Sequence, residues 1–259
     1  MAPSSHKNKN ESAAAEIVLK LKQAGFEAYF VGGCVRDMLL NKQPSDFDVA
    51  TSALPDQVEA LFSKTIPVGK AFGVIIVQIK GAAIEVATFR EDLGYTDGRR
   101  PKDIRFSSAK EDALRRDFTI NGLYYDVERK KVVDWVGGQK DLELKIIRTI
   151  GDPFKRFEED KLRMLRAVRF SANLDFPIEA ETLKAIQAMK DQIVCVSMER
   201  VRDELVKMFC GNNPDKGLML LHESGLFEAL YPEAVFMNRC SAVLPEGTTA
   251  TGVQLLTNI

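Results

Sequence analysis

Ala28-Tyr29-Phe30-Val31-Gly32-Gly33-Cys34-Val35-Arg36-Asp37-Met38-Leu39-Leu40 leads through a short loop to Ser45-Asp46-Phe47-Asp48. Ala28 to Val31 is a short apolar, aromatic run of strand type. Two glycines then open a tight turn, and Val35 to Leu40 reads as the first turns of a helix. A strand, a glycine turn and a helix start together aim backbone N–H groups at an anion. Asp46 and Asp48 alternate around Phe47, which in an extended segment sends both carboxylates to one face and the ring to the other. An anion cradle beside two convergent carboxylates suits a nucleoside triphosphate held with magnesium. Taken singly, a Gly-Gly turn is common in α/β proteins and an Asp-x-Asp is often only solvated. It is their succession, with Arg36 between them, that favours chemistry.

Around this segment the chain reads as mixed strands and helices. Glu16 to Ala24 carries a helical repeat, and Pro55 opens another helix over Val58, Leu61 and Phe62. Phe72 to Ile79 and Ala83 to Phe89 form a hairpin closed at Lys80-Gly81. Glu91 to Arg105, with two glycines and Arg99-Arg100, reads as a loop with a basic tip. Glu111 to Arg116 begins a helix, and Tyr124–Val127 pairs with Val132–Val136. After Gly151-Asp152-Pro153 the pattern becomes helical: Phe157–Asn173, Glu179–Met189, Ser197–Phe209 and Pro214–Leu221, with Ser197 placed to cap the third. The fold class is therefore α+β, a mixed α/β domain followed by an all-helical one. The expected divisions are a disordered start at 1–14, a mixed domain at 15–150, helices at 151–233 and an irregular tail at 234–259.

The 259 residues suffice for a substantial core, and the charge is balanced, with 36 Lys and Arg against 37 Asp and Glu. That balance argues against a general polyanion binder and leaves nucleic-acid contact to local patches. The four cysteines, Cys34, Cys195, Cys210 and Cys240, have no paired metal-ligand spacing, which fits free thiols in a reducing compartment. No secretory signal and no membrane-spanning run is evident, so the expected location is cytoplasmic.

Other stretches offer chemistry. Glu85 alternates with Ile84 and Val86 on its strand, either as a third carboxylate of the metal site or as a solvent-facing residue. Arg36 reads as a phosphate ligand or as the ion-pair partner of Asp37. Arg115-Arg116-Asp117 supplies two guanidiniums and an acceptor, with Asn121 in support. Asp160, Arg163, Arg166 and Arg169 recur every third position opposite Leu162, Leu165 and Val168. Such a ridge presents acceptor and donors to a base edge, or it is an amphipathic face tied by salt bridges.

VGGCVRDMLL…SDFDVATSA, IEVATFRED, YTDGRRP, EDALRRDFTINGL, DWVGGQKDLELKIIRTIGDP, FEEDKLRMLRAVRF and SMERVRDELVKM, in this order, resemble bacterial-type CCA-adding tRNA nucleotidyltransferases and their poly(A) polymerase relatives, from about Phe30 to Glu233. The resemblance implies a polymerase-beta-like nucleotidyltransferase head and a helical neck. It implies magnesium on Asp46 and Asp48, beside which Glu85 stays the candidate third catalytic carboxylate of the residue reading. By the same resemblance Gly33 and Arg36 would bind the triphosphate and Arg116 and Asp117 the nucleotide, Asp117 near the ribose, with Gly32 of the glycine turn and Asn121 as supporting candidates from the residues themselves. Asp160 and Arg163, aided by Arg166 and Arg169, would read the incoming base. The implied activity is transfer of C and A from CTP and ATP to a tRNA 3′ end with release of pyrophosphate. Addition of AMP alone to RNA 3′ ends is the alternative. An inactive nucleotide- and RNA-binding fragment lacking the tRNA-holding body, to which the tail at 234–259 points, is the alternative of another class.

Overall fold

The computed structural model describes residues 9–95, 101–233, 241–243 and 249–251. It divides into two compact units, which part between Leu142 and Glu143.

The first unit begins with α1 (Lys9–Gln23), then β1 (Ala28–Val31), α2 (Gly33–Leu39), β2 (Asp48–Thr51) and α3 (Pro55–Leu61). There follow β3 (Thr65–Gly69), β4 (Val74–Ile79), β5 (Ala82–Thr88), β6 (Arg90–Tyr95), β7 (Pro101–Phe106), α4 (Ala109–Leu114), β8 (Leu123–Asp126), β9 (Lys131–Asp134) and α5 (Gly138–Glu143). Seven strands form one sheet in the order β3-β4-β5-β2-β1-β8-β9. The β2–β5 pair is parallel, and its neighbours in the sheet are antiparallel. One face carries α1, whose Ile17, Val18 and Leu21 are fully buried. The other face holds a cluster of Val31, Ala50, Phe89, Ala109, Ala113 and Tyr124 under α4. Covering both faces explains why β1 reads as a continuous apolar run instead of an alternating one.

The second unit contains α6 (Pro153–Glu159), α7 (Leu162–Leu174), α8 (Ala180–Met189), α9 (Met198–Phe209), α10 (Pro214–Glu223) and α11 (Leu226–Leu230). Helix α7 is its centre: Met164, Leu165, Ala167, Val168 and Ala172 are completely buried, and it packs on α9 and α10.

The expectations need correction at several places. Lys9–Ala14, assigned to a disordered start, are the first turns of α1, because Ala13 and Ala14 are fully buried and alanine has the best helix propensity. Residues 1–8 lie outside the described residues. Glu91–Arg105 is largely not loop: β6 and β7 pair as a two-stranded sheet, held in part by Arg105 on Glu91. At Arg105 and Glu91 a charged pair stands where an apolar one would mark a strand. The tip residues Arg99 and Arg100 fall outside the described residues. Phe157–Asn173 is two helices, broken at Asp160, where the chain is extended and the Asp160 carboxylate accepts the Leu162 N–H at 3.1 Å. The strand assigned to Phe72 starts at Val74, after a 3₁₀ turn at Lys70–Phe72. Residues before 150 join the second unit early, since Ile147 exchanges backbone hydrogen bonds with Pro177 and Glu179 at 2.9 Å. In the tail, Ser241–Val243 pairs antiparallel with Thr249–Thr251. The rest of 234–259 is outside the described residues.

Candidate active site

The site of the first unit is built on the face shared by β2, β5, β1 and β8. Phe47 is buried edge-on against Phe30, with ring centroids 5.2 Å apart, so Asp46 and Asp48 stay on the accessible side. The parallel register of β2 and β5 sets Asp48 directly beside Glu85. Asp48 lies in a cavity of about 230 Å³ whose walls include Val31, Val74, Glu85, Arg90, Arg115 and Arg116. Solvent reaches its carboxyl, yet protein surrounds most of it. Burial raises its pKa to about 6, with the charges of Glu85 and then Asp46 adding to the rise and Arg116 opposing it. Ser45 donates its hydroxyl to Asp46 at 3.0 Å.

The glycine turn faces this floor. Gly32 has φ +75°, and a Cβ there would stand 3.2 Å from Arg116 Nη1, so conformation and space both call for glycine. At Gly33 a Cβ would meet only the Arg36 guanidinium, at ordinary contact distance. Arg36 donates through Nε to Asp37 at 2.8 Å and through Nη1 to Asn121 Oδ1 at 2.8 Å. Asn121 Nδ2 donates in turn to Asp117 at 3.3 Å. Arg36 thus makes the ion pair with Asp37, and the same side chain stands within the cluster. Gly32, Arg36, Arg116, Asp117 and Asn121 meet in one place although 85 residues separate Arg36 from Asn121.

Behind the arginines lies an acid that the sequence reading passed over. Asp112 is 1% exposed and takes Arg115 Nη2 at 2.7 Å, Arg116 Nη2 at 3.1 Å and the Tyr124 hydroxyl. Burial would raise its pKa, but the charges of Arg116 and Arg115 outweigh that and bring it down to about 2. Burial pushes the Tyr124 phenol up, so it remains a neutral donor. Arg116 also lies over the Tyr124 ring, 5.2 Å from its centroid. The available signal was spacing: Asp112 stands three and four residues before Arg115 and Arg116, positions that meet on a helix.

The second unit holds Asp160, Arg163, Arg166 and Arg169, but not as one continuous helical ridge. Asp160 precedes α7 and is held bidentately by Arg200 at 2.8 and 3.3 Å. Arg163 is buried on Glu159 and the Arg156 carbonyl. Arg166 and Arg169 share the buried Glu204 of α9, and both guanidiniums lie over the Phe170 ring. Salt bridges therefore do tie this face, and several run between helices instead of along one.

Comparison with known proteins agrees with the geometry. Residues 28–148 match the family described as "Poly A polymerase head domain" and residues 175–237 the one described as "Probable RNA and SrmB- binding site of polymerase A". The chain is 45% identical over 218 residues to the CCA-adding enzyme of Bacillus pumilus, covering 84% of this chain and 54% of that one. Among solved structures, Bacillus stearothermophilus CCA-adding enzyme in complex with CTP superposes with TM-score 0.77 at 42% identity, over 87% of this chain and 53% of the other. Thermotoga maritima CCA-adding enzyme complexed with tRNA gives TM-score 0.70 at 25% identity, over 89% and 53%. The fold is thus a nucleotidyltransferase head with a helical region after it. The chain belongs to the bacterial-type CCA-adding enzyme and poly(A) polymerase head family. It spans about half the length of the curated relatives it matches.

Proposed function

We propose that this chain is the nucleotidyl-transferring part of an RNA 3′-end nucleotidyltransferase that adds C and A to tRNA from CTP and ATP. The observation that carries this reading is the lateral pairing of Asp48 with Glu85 in a cavity walled by Arg115 and Arg116. Acidic floor and basic wall suit an attacking hydroxyl and a triphosphate, respectively.

Asp46 and Asp48 are assigned a magnesium ion. Among the described residues no three His, Cys, Asp or Glu side chains form a ready ligand set. Two hard carboxylates nevertheless fit Mg²⁺, which takes one or two carboxylates and completes its shell with phosphate oxygens and water. Burial first, and then the charges of Glu85 and Asp46, raise the Asp48 pKa, and a bound divalent cation would offset both. When bound, such an ion supplies charge stabilisation and lowers the pKa of a coordinated hydroxyl. Glu85 reinforces the negative field at Asp48. Arg36 and Arg116 neutralise the triphosphate, with the Gly32-Gly33 backbone leaving room for close approach. Asp117, oriented by Asn121, accepts from the ribose. Asp160, Arg163, Arg166 and Arg169 are assigned base choice on family resemblance. No helix among the described residues is long and apolar enough to cross a membrane.

Product length tests the substrate assignment. With tRNA lacking its terminal CCA, the chain extends by at most three nucleotides and requires CTP before ATP. Long tails made from ATP alone would overturn CCA addition in favour of poly(A) synthesis.

A further inference from the structure

Two phenylalanines at the cleft belong to no role assigned so far. Phe72 is 38% exposed and Phe106 is 43% exposed, although both sit beside buried walls of the first unit. Phe72-Gly73-Val74 forms one side of the cavity through Val74. Arg90, another wall residue, donates its guanidinium to the Phe72 carbonyl and fixes that segment. Gly73 has φ +80° and returns its carbonyl to the Thr88 N–H at 2.8 Å. A Cβ on Gly73 would meet the Phe106 ring at 3.2 Å, so the ring edge lies against this glycine while part of the side chain stays open to solvent. Phe106 is the last residue of β7, held in place by the Ser107 N–H bonded to the Phe89 carbonyl at 3.1 Å.

An exposed aromatic ring on a rigid backbone beside arginines is a surface for a nucleobase. Every base has a π-face, and stacking on aromatic side chains tolerates sequence, while neighbouring guanidiniums hold the phosphates. The position favours the RNA end over the incoming nucleotide. The triphosphate is assigned to the Gly32, Arg36 and Arg116 side, whereas Phe72 and Phe106 stand at Gly73, the residue before Val74, which lines the cavity with Asp48 and Glu85. The group that must reach Asp48 from outside is the 3′ hydroxyl. We propose that Phe106, with Phe72, forms a stacking platform for the 3′-terminal base of the RNA primer, and that Arg90 faces its phosphate. This inference rests on the proposed nucleotidyl transfer.

Two measurements separate it from that reading. First, a tRNA whose terminal base is 2-aminopurine is titrated with the full chain and its fluorescence followed, without nucleotide and hence without turnover. Binding quenches the fluorophore, and Phe106→Ala removes the quenching while Phe106→Tyr keeps it. Failure to bind this RNA, or binding without quenching, overturns the platform whether or not the chain transfers nucleotides. Second, in steady-state CTP incorporation, Phe106→Ala raises KM for RNA about tenfold, within the range expected for losing one base stack. KM for CTP stays within about twofold, since uniform binding of the RNA is what is lost. An equal rise in KM for CTP, or an unchanged KM for RNA, refutes the assignment to the primer.

Discussion

Replacing Asp112 by Asn keeps the shape of the side chain and removes the one charge on which Arg115 and Arg116 converge. In the folded protein the Asp112 carboxyl is held at about 2, against 3.8 for the free group. That difference corresponds to roughly 2 kcal/mol of stability at neutral pH. The substitution also takes from two largely buried guanidiniums the carboxylate that both bind, leaving Arg115 with Asp92 at 3.8 Å, and breaking a buried pair typically costs about 3–5 kcal/mol. The expected loss for Asp112→Asn is therefore about 3 kcal/mol at pH 7, read as a lower urea midpoint at unchanged slope. Its pH dependence has a definite sign. Because the folded pKa is depressed, the contribution is complete above about pH 4 and disappears as pH falls towards 2. The gap between wild type and variant should hold from pH 8 to 5 and close below pH 4. A loss under about 0.5 kcal/mol, or a gap that widens in acid, would refute the description of Asp112 as an ionised anchor.

Asp48→Ala should reduce nucleotide incorporation at least about a thousandfold, as expected when metal-assisted chemistry is lost, with a near-native unfolding midpoint. With Asp48 at about 6, activity at limiting magnesium should fall as pH drops through 6, because the protonated acid cannot ligate; saturating magnesium should move that midpoint lower, and a fixed midpoint contradicts the assignment. Gly32→Ala should destabilise by about 1 kcal/mol or more through its positive φ and the nearby Arg116, whereas Gly33→Ala should unfold like wild type and lose CTP affinity in calorimetry. Glu204→Gln should cost about 2–4 kcal/mol in thermal unfolding, because Arg166 and Arg169 share that buried acid.

What the sequence could disclose follows from how local each signal is. The strand at Ala28–Val31, the glycine turn and helix α2 are encoded within a dozen residues, and the alternation around Phe47 survives as one buried ring between two accessible acids. The hairpin at Lys80-Gly81 is equally local, since both residues adopt the positive φ that such a turn requires. Glu85 was ambiguous because its neighbour is fixed by parallel pairing between strands distant in sequence, which no local pattern contains. Asp112 escaped notice for a related reason: its importance comes from Tyr124 on another element. The break before α7 was hidden because the every-third-residue recurrence of Asp160, Arg163, Arg166 and Arg169 runs through it, while the Asp160 carboxylate takes a backbone N–H. Strands β6 and β7 were missed because glycines and a proline punctuate the segment and a charge pair, Arg105 with Glu91, stands where apolar alternation is normally read.

The central claim is that Asp48 belongs to a centre that transfers nucleotides to RNA. It is tested most directly by incubating the chain and its Asp48→Ala variant with labelled CTP, magnesium and tRNA lacking CCA, and resolving the products nucleotide by nucleotide. The account predicts discrete short extension by the wild-type chain and none by the variant. Equal extension by both, or none by the wild type, would contradict it.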